Sequence, residues 1–162
     1  PWEAREEFPA FFAGQWRNCG SLTLVANSIG AFFSLSSLGE GLVERAYLIS
    51  PVVDMERLIR DMMTWARVTE EELRERREIP TDFGEMLSWD YLRFVREHPI
   101  TWHVPTRILY GERDHLTSRK TISAFAGRIG AELTVMPGGE HWFHTEEQLR
   151  FLDAWILGGR EA

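Results

Sequence analysis

The sequence predicts an α/β fold: a parallel sheet of about four strands flanked by helices, with one helical insertion. Short β-prone runs alternate with amphipathic helical stretches toward both ends of the chain. Residues 54–103 break that rhythm, reading as helices without a strand between them. Three residues able to do chemistry fall just beyond the C-terminal ends of expected strands, where open parallel sheets collect their ligands.

Taken in order, Phe8, Phe11, Phe12 and Trp16 recur at helical spacing within Arg5 to Asn18, and Cys19-Gly20 closes that helix. Leu22 to Ala26 is a short apolar run of the kind found in a strand covered on both faces. It leads through Asn27 and Ser28 into Ile29, Phe32, Phe33, Leu35 and Leu38, a helical face stopped by Gly39 and Gly41. A second strand is expected at Arg45 to Ser50, ended by Pro51. The insertion reads as helices over Met55 to Ala66, Glu70 to Glu78 and Ser88 to Glu97. Thr69 with Glu72 forms a capping box, and Glu70–Arg74 and Glu72–Arg76 are i,i+4 pairs, so this charged run is a solvated helix face. Strands at Thr106 to Tyr110 and Glu132 to Met136 bracket a helix from about Ser118 to Ile129. A final helix starts at Thr145, capped through Gln148, with Leu149, Leu152, Trp155 and Ile156 facing inward.

The chain of 162 residues is 44% hydrophobic and 27% charged, which is enough to bury a single core. Its formal net charge of −7, with Lys and Arg interleaved among Glu, argues against a nucleic-acid surface. No apolar run reaches the length of a membrane span and no signal-peptide pattern is visible, so no membrane partner is expected. Cys19 stands alone, which excludes an internal disulfide or a Cys-based metal cluster and is compatible with a cytoplasmic setting, the localisation expected. The chain opens at Pro1 in what looks like mid-helix, as though an N-terminal part were missing.

Ala26-Asn27-Ser28-Ile29-Gly30 joins a strand directly to a helix, the context of a nucleophile elbow. So sharp a turn calls for small residues two before and two after the serine, here Ala26 and Gly30. Ser28 would then stand at the head of a helix whose dipole and Ile29 amide can stabilise an oxyanion. Taken alone, the same pentapeptide also suits a helix N-cap serine. Two further motifs weigh against that plainer reading. Arg107-Ile-Leu-Tyr-Gly111-Glu-Arg-Asp114 delivers an acid past the end of a strand, and Pro137-Gly-Gly-Glu-His141 delivers an imidazole past another. Asp54 is an alternative acid and His144 an alternative base, but the glycine-led loops favour Asp114 and His141. His98, His103 and His115 lack metal-ligand spacing, and neither a metal nor an organic cofactor is expected. Trp65, Trp89, Trp102 and Trp142 are mainly structural by type; Asn27, Trp65 and Trp142 are the candidates for lining a substrate pocket.

In this order the three motifs resemble the capped serine hydrolases of the α/β-hydrolase superfamily. The resemblance covers essentially the whole chain and corresponds to the C-terminal half of that sheet. It implies Ser28 as nucleophile, Asp114 as acid, His141 as general base and the Ile29 amide as one oxyanion donor. It also implies core units at 1–53 and 104–162 around a cap at 54–103, with a small carboxylic ester or similar acyl compound as substrate. Serine rather than aspartate at the elbow argues against dehalogenase or epoxide hydrolase chemistry.

The family's earlier strands, and the loop giving a second oxyanion N–H, have no counterpart in this sequence. The run 22–26 is therefore expected to be a sheet edge able to pair with a second copy, and turnover is expected to suffer from the lost donor. The competing expectations are a non-catalytic binder of a small molecule on a hydrolase scaffold, or a fragment that only associates through its edge.

Overall fold

The computed structural model describes residues 1–38 and 41–158. In chain order the elements are α1 (Trp2–Cys19), β1 (Thr23–Asn27), α2 (Ser28–Ser37), β2 (Arg45–Ile49), α3 (Met55–Ala66), α4 (Glu70–Arg76), β3 (Glu78–Pro80), β4 (Met86–Ser88), α5 (Trp89–Glu97), β5 (Thr106–Gly111), α6 (Arg119–Ile129), β6 (Glu132–Met136) and α7 (Glu146–Gly158).

The four longer strands form one parallel sheet in the order β1-β2-β5-β6. Ala26 lies opposite Leu48, Leu48 opposite Ile108 and Ile108 opposite Leu133. Central strands of a parallel sheet are covered on both faces, which is why Ala46-Tyr47-Leu48 and Ile108-Leu109-Tyr110 are buried without a break. Alternate residues serve two cores. Leu24, Ala46, Leu48, Ile108 and Tyr110 pack toward α2, α6 and the insertion. Tyr47, Leu109 and Met136 face the other way, onto Trp155 of α7.

Caps fix the helix boundaries. Asp54 accepts the amide of Arg57, Thr69 and Glu72 form the expected reciprocal box, Ser88 accepts from Tyr91 and Ser118 from Thr121. Gly20 ends α1 in the left-handed region at φ 75°. Gly39, one of the expected stops of α2, lies outside the described residues, and α2 ends at Ser37 with Leu38 as its cap.

Two expectations are corrected. The insertion is not wholly helical: β3 and β4 form an antiparallel hairpin with Ile79 opposite Leu87, both turned into the core. Glu70 feels Arg74 of its own helix and also bonds Arg96 of α5 at 2.6 Å, while Glu72 feels Arg76 and closes the cap. On α7, Leu149 is 44% exposed while Gln148 is buried, because the Gln148 side-chain oxygen accepts the amide of His144. Among the described residues no helix is long and apolar enough to cross a membrane.

Candidate active site

Three loops meet at the C-terminal ends of β1, β5 and β6. At the first, Asn27 is still extended, with φ −122° and ψ 155°. Ser28 turns abruptly to φ 47° and begins α2. A left-handed non-glycine residue costs on the order of 1–3 kcal/mol and persists only when its surroundings hold it. Part of that hold is the Ser28 carbonyl, which accepts the amide of Val52 at 3.0 Å from the segment after β2. Crowding does not explain Gly30, since a β-carbon there would meet no atom within 4 Å. Gly30 faces the groove between α1 and the β1 edge, so the expected need for a small residue is not visible at that position.

The acid and histidine loops interlock. Glu112 donates its amide to Met136 O at 3.1 Å and Arg113 donates to Gly139 O at 2.8 Å, while the Glu112 carboxylate accepts Gly138 N–H at 2.9 Å. Gly111 makes this approach possible: a β-carbon there would lie 2.5 Å from Glu140 O and 2.7 Å from Gly139 O.

From this mesh His141 and Asp114 project with their side chains shielded from solvent. His141 Nδ1 lies 2.8 Å from Asp114 Oδ2, and Nε2 lies 2.8 Å from Ser28 Oγ. Burial pushes the Asp114 carboxyl upward, but the His141 hydrogen bond and the amides of Thr117 and Leu116 outweigh it and hold the group below its ordinary value. The ionised carboxylate can only accept, so Nδ1 carries the proton; in the neutral ring Nε2 then accepts from the Ser28 hydroxyl. The result is a directed chain in which the serine is hydrogen-bonded to a base whose tautomer is fixed.

The alternatives lie elsewhere. Asp54 is spent as the cap of α3. His144 is exposed, with Nδ1 2.7 Å from Trp142 O and 3.5 Å from Glu140 Oε2. His115 approaches His141 edge-on at 6.4 Å between ring centroids, and His98 stacks on Phe94.

A cavity of about 270 Å³ opens beside Ser28 beneath the insertion. Val52, Met55, Ile59 and Leu87 form its buried base, and Trp65, Phe83 and Met86 its exposed rim. Trp65 and Phe83 meet edge to face with centroids 6.1 Å apart. Glu85 is the one carboxylate among the residues lining it. Trp65 lines this cavity, whereas Asn27 and Trp142 line a separate hollow of about 290 Å³ on the other side of His141. Ile29 borders the Ser28 cavity in the first turn of α2. Sequence reasoning missed Met55, Ile59, Met62 and Leu87, whose apolar spacing reads simply as core.

Residues 31–148 match the family model described as serine aminopeptidase, S33, a stretch that holds Asp114 and His141 and begins three residues after Ser28. No curated protein matches the sequence. Among solved structures, Est1E from Butyrivibrio proteoclasticus is 15% identical with a TM-score of 0.66, over 88% of this chain and 62% of that one. A putative hydrolase from Agrobacterium vitis is 18% identical with a TM-score of 0.63, over 84% and 60%. A proline iminopeptidase-related protein from Thermus thermophilus is 22% identical with a TM-score of 0.56, over 89% and 67%. The chain thus spans about three fifths of the length of the first two, and these likenesses concern the fold.

Proposed function

Because the chain belongs to the S33 serine aminopeptidase family of α/β hydrolases, we propose that it is a serine hydrolase that cleaves a neutral carboxylic ester or similar acyl compound through an acyl-enzyme. The observation that carries this reading is the continuous chain from Ser28 Oγ through His141 to Asp114, each link 2.8 Å. As the Ser28 oxygen attacks the carbonyl carbon, its proton passes to His141 Nε2. Asp114 keeps the ring oriented and stabilises its positive charge. The oxyanion faces the Ile29 amide at the head of α2, where the helix dipole adds to the N–H. Collapse of the tetrahedral adduct expels the alcohol, protonated by His141, and a water activated by the same imidazole then releases the acid and frees Ser28.

Residues 54–103 serve as the cap, and their apolar cavity favours an uncharged group. An aminopeptidase must hold an ammonium close to the scissile carbonyl, and burying that charge without carboxylate partners costs several kcal/mol. Glu85, exposed at the rim, is the one anion lining the cavity, so esters are preferred to amino-acid amides. The volume is somewhat below the range of about 300–1,000 Å³ usual for drug-sized ligands, which favours a small acyl group. A serine-directed fluorophosphonate tests the assignment: labelling that maps to Ser28 and disappears in His141→Ala supports it, and an unlabelled Ser28 points to a binder on a hydrolase scaffold.

A second reading concerns partners. Among the described residues β1 pairs with β2 alone, and Val25 on it is half exposed. An unpaired edge of this kind is a template for strand addition, and we propose that a second copy of the chain can add there.

A further inference from the structure

A second and larger cavity, of about 580 Å³, lies outside the Ser28 site, between the first turn of α3, the end of α5 and one face of α6. Its floor is apolar, built from Phe32, Val53, Ile100 and Phe125, all buried. Its rim is cationic. Arg57, Arg96, Lys120 and Arg128 line it against the two carboxylates Asp54 and Glu56, a local surplus of positive charge in a chain of net charge −7.

The partners of these groups locate the surplus. Arg96 is neutralised by Glu56 and Glu70, and Asp54 accepts a backbone amide. Arg57 donates to the neutral hydroxyls Thr121 Oγ1 at 2.6 Å and Ser118 Oγ at 3.1 Å, and forms a longer, exposed i,i+4 ion pair with Asp61 at 3.7 Å. Arg128 donates to the Ile100 carbonyl and lies over the Phe125 ring. The ammonium of Lys120, in the first turn of α6, has no partner among the described residues. His98 adds a ring at the far end, its Nδ1 held by Phe94 O at 2.9 Å.

We propose that this crevice is a second, non-catalytic binding site for a small amphipathic anion: an organic carboxylate whose apolar body covers Phe32, Val53 and Phe125 and whose head lies between Lys120 and Arg57. A purely apolar ligand would leave the cationic rim unanswered, and a small inorganic anion would leave the floor wet. A carboxylate with a hydrocarbon tail satisfies both, since Lys120 and Arg57 supply charge-assisted donors and the floor supplies the hydrophobic contact. The head sits in a partly exposed position, so its attraction falls with salt.

The test is a titration of the 15N-labelled protein with sodium octanoate, followed by amide chemical shifts, with octanol and sodium acetate as separate arms. Octanoate is expected to shift amides from Lys120 to Arg128 and at Ile100, and to bind at least tenfold more tightly than either control. Lys120→Glu, at an exposed side chain, is expected to weaken octanoate about tenfold, equivalent to about 1.4 kcal/mol. Shifts confined to the Ser28 cavity, at Ile29, Met62 and Leu116, would overturn the proposal. So would octanol binding equally well, octanoate leaving α6 unperturbed, or Lys120→Glu leaving its affinity unchanged. Because the readout is binding, a protein without hydrolase activity decides the matter as well as an active one.

Discussion

A β-carbon on Gly111 would lie 2.5 Å from the carbonyl oxygen of Glu140, the residue preceding His141. The obstacle is backbone on both sides and cannot swing away. Gly111→Ala is therefore expected to push the histidine loop outward and to destabilise the fold by about 1–3 kcal/mol. A displacement of His141 by about 1 Å costs roughly 10²-fold in rate. Urea denaturation and ester hydrolysis on one preparation check both; unchanged turnover would mean that the loops reach their places by another route.

Ser28→Gly separates strain from chemistry. Glycine adopts φ 47° freely, so the variant is expected to be about 1 kcal/mol more stable than the parent. Turnover should fall by roughly 10⁴-fold or more, with phosphonate labelling lost. Thermal melts beside activity assays test it, and a less stable variant would show that the hydroxyl, rather than the turn, holds the elbow.

Asp114 contributes to the acid side of the stability curve. Its folded value is lowered, so the carboxylate contributes stability that is present above the unfolded carboxyl range and is lost as pH falls through the lower folded value. Asp114→Asn should be less stable than the parent at pH 7, with the difference shrinking progressively in strong acid. The amide also lets the imidazole take the wrong tautomer, at a cost of about 10⁴-fold in turnover. Denaturation midpoints measured from pH 7 downward would reveal a constant offset if the interaction were not ionic.

Glu85, the one carboxylate among the residues lining the cavity, tests the charge of the substrate. A panel of short-chain acyl esters should be hydrolysed in preference to amino-acid naphthylamides by about 10²-fold or more, as expected where burial of an ammonium goes uncompensated by several kcal/mol. Glu85→Gln should leave ester kcat/KM within about twofold, as for a surface residue whose effect stays within about 0.5 kcal/mol. Loss of activity toward amino-acid substrates in that variant, from a parent that cleaves them well, would instead assign Glu85 to ammonium binding.

Val25→Lys addresses association. The side chain is half exposed on the free edge of β1, and a lysine there blocks strand addition. Sedimentation should show self-association in the parent and a monomer in the variant. A parent that stays monomeric across the accessible concentrations would exclude pairing through this edge.

Much of the fold was legible because its elements carry redundant signals. The range Met55–Ala66 expected for α3 is the one found, its amphipathic stripe running through Ile59 and Met63. β2 and β5 announce themselves as unbroken apolar runs. The β3–β4 hairpin escapes notice because each strand is three residues long with one inward side chain, Ile79 or Leu87, too short for any period to register, and Pro80 argues against a strand. Leu149 misleads because an apolar side chain at that spacing outweighs the capping task of Gln148 beside it. Most of the Ser28 cavity was illegible for a different reason: it is walled by residues distant in sequence, whereas Asn27 and Trp142, next to Ser28 and His141 along the chain, border the opposite hollow.

The amide of Val52 is bonded to the Ser28 carbonyl, and two residues later Asp54 launches α3. The start of α3 and Ser28 consequently hang from a common bracket. A guest that wedges α3 away from the sheet pulls on the same peptide that orients the Ser28 hydroxyl, so an oversized occupant of the cavity would shift that hydroxyl relative to His141.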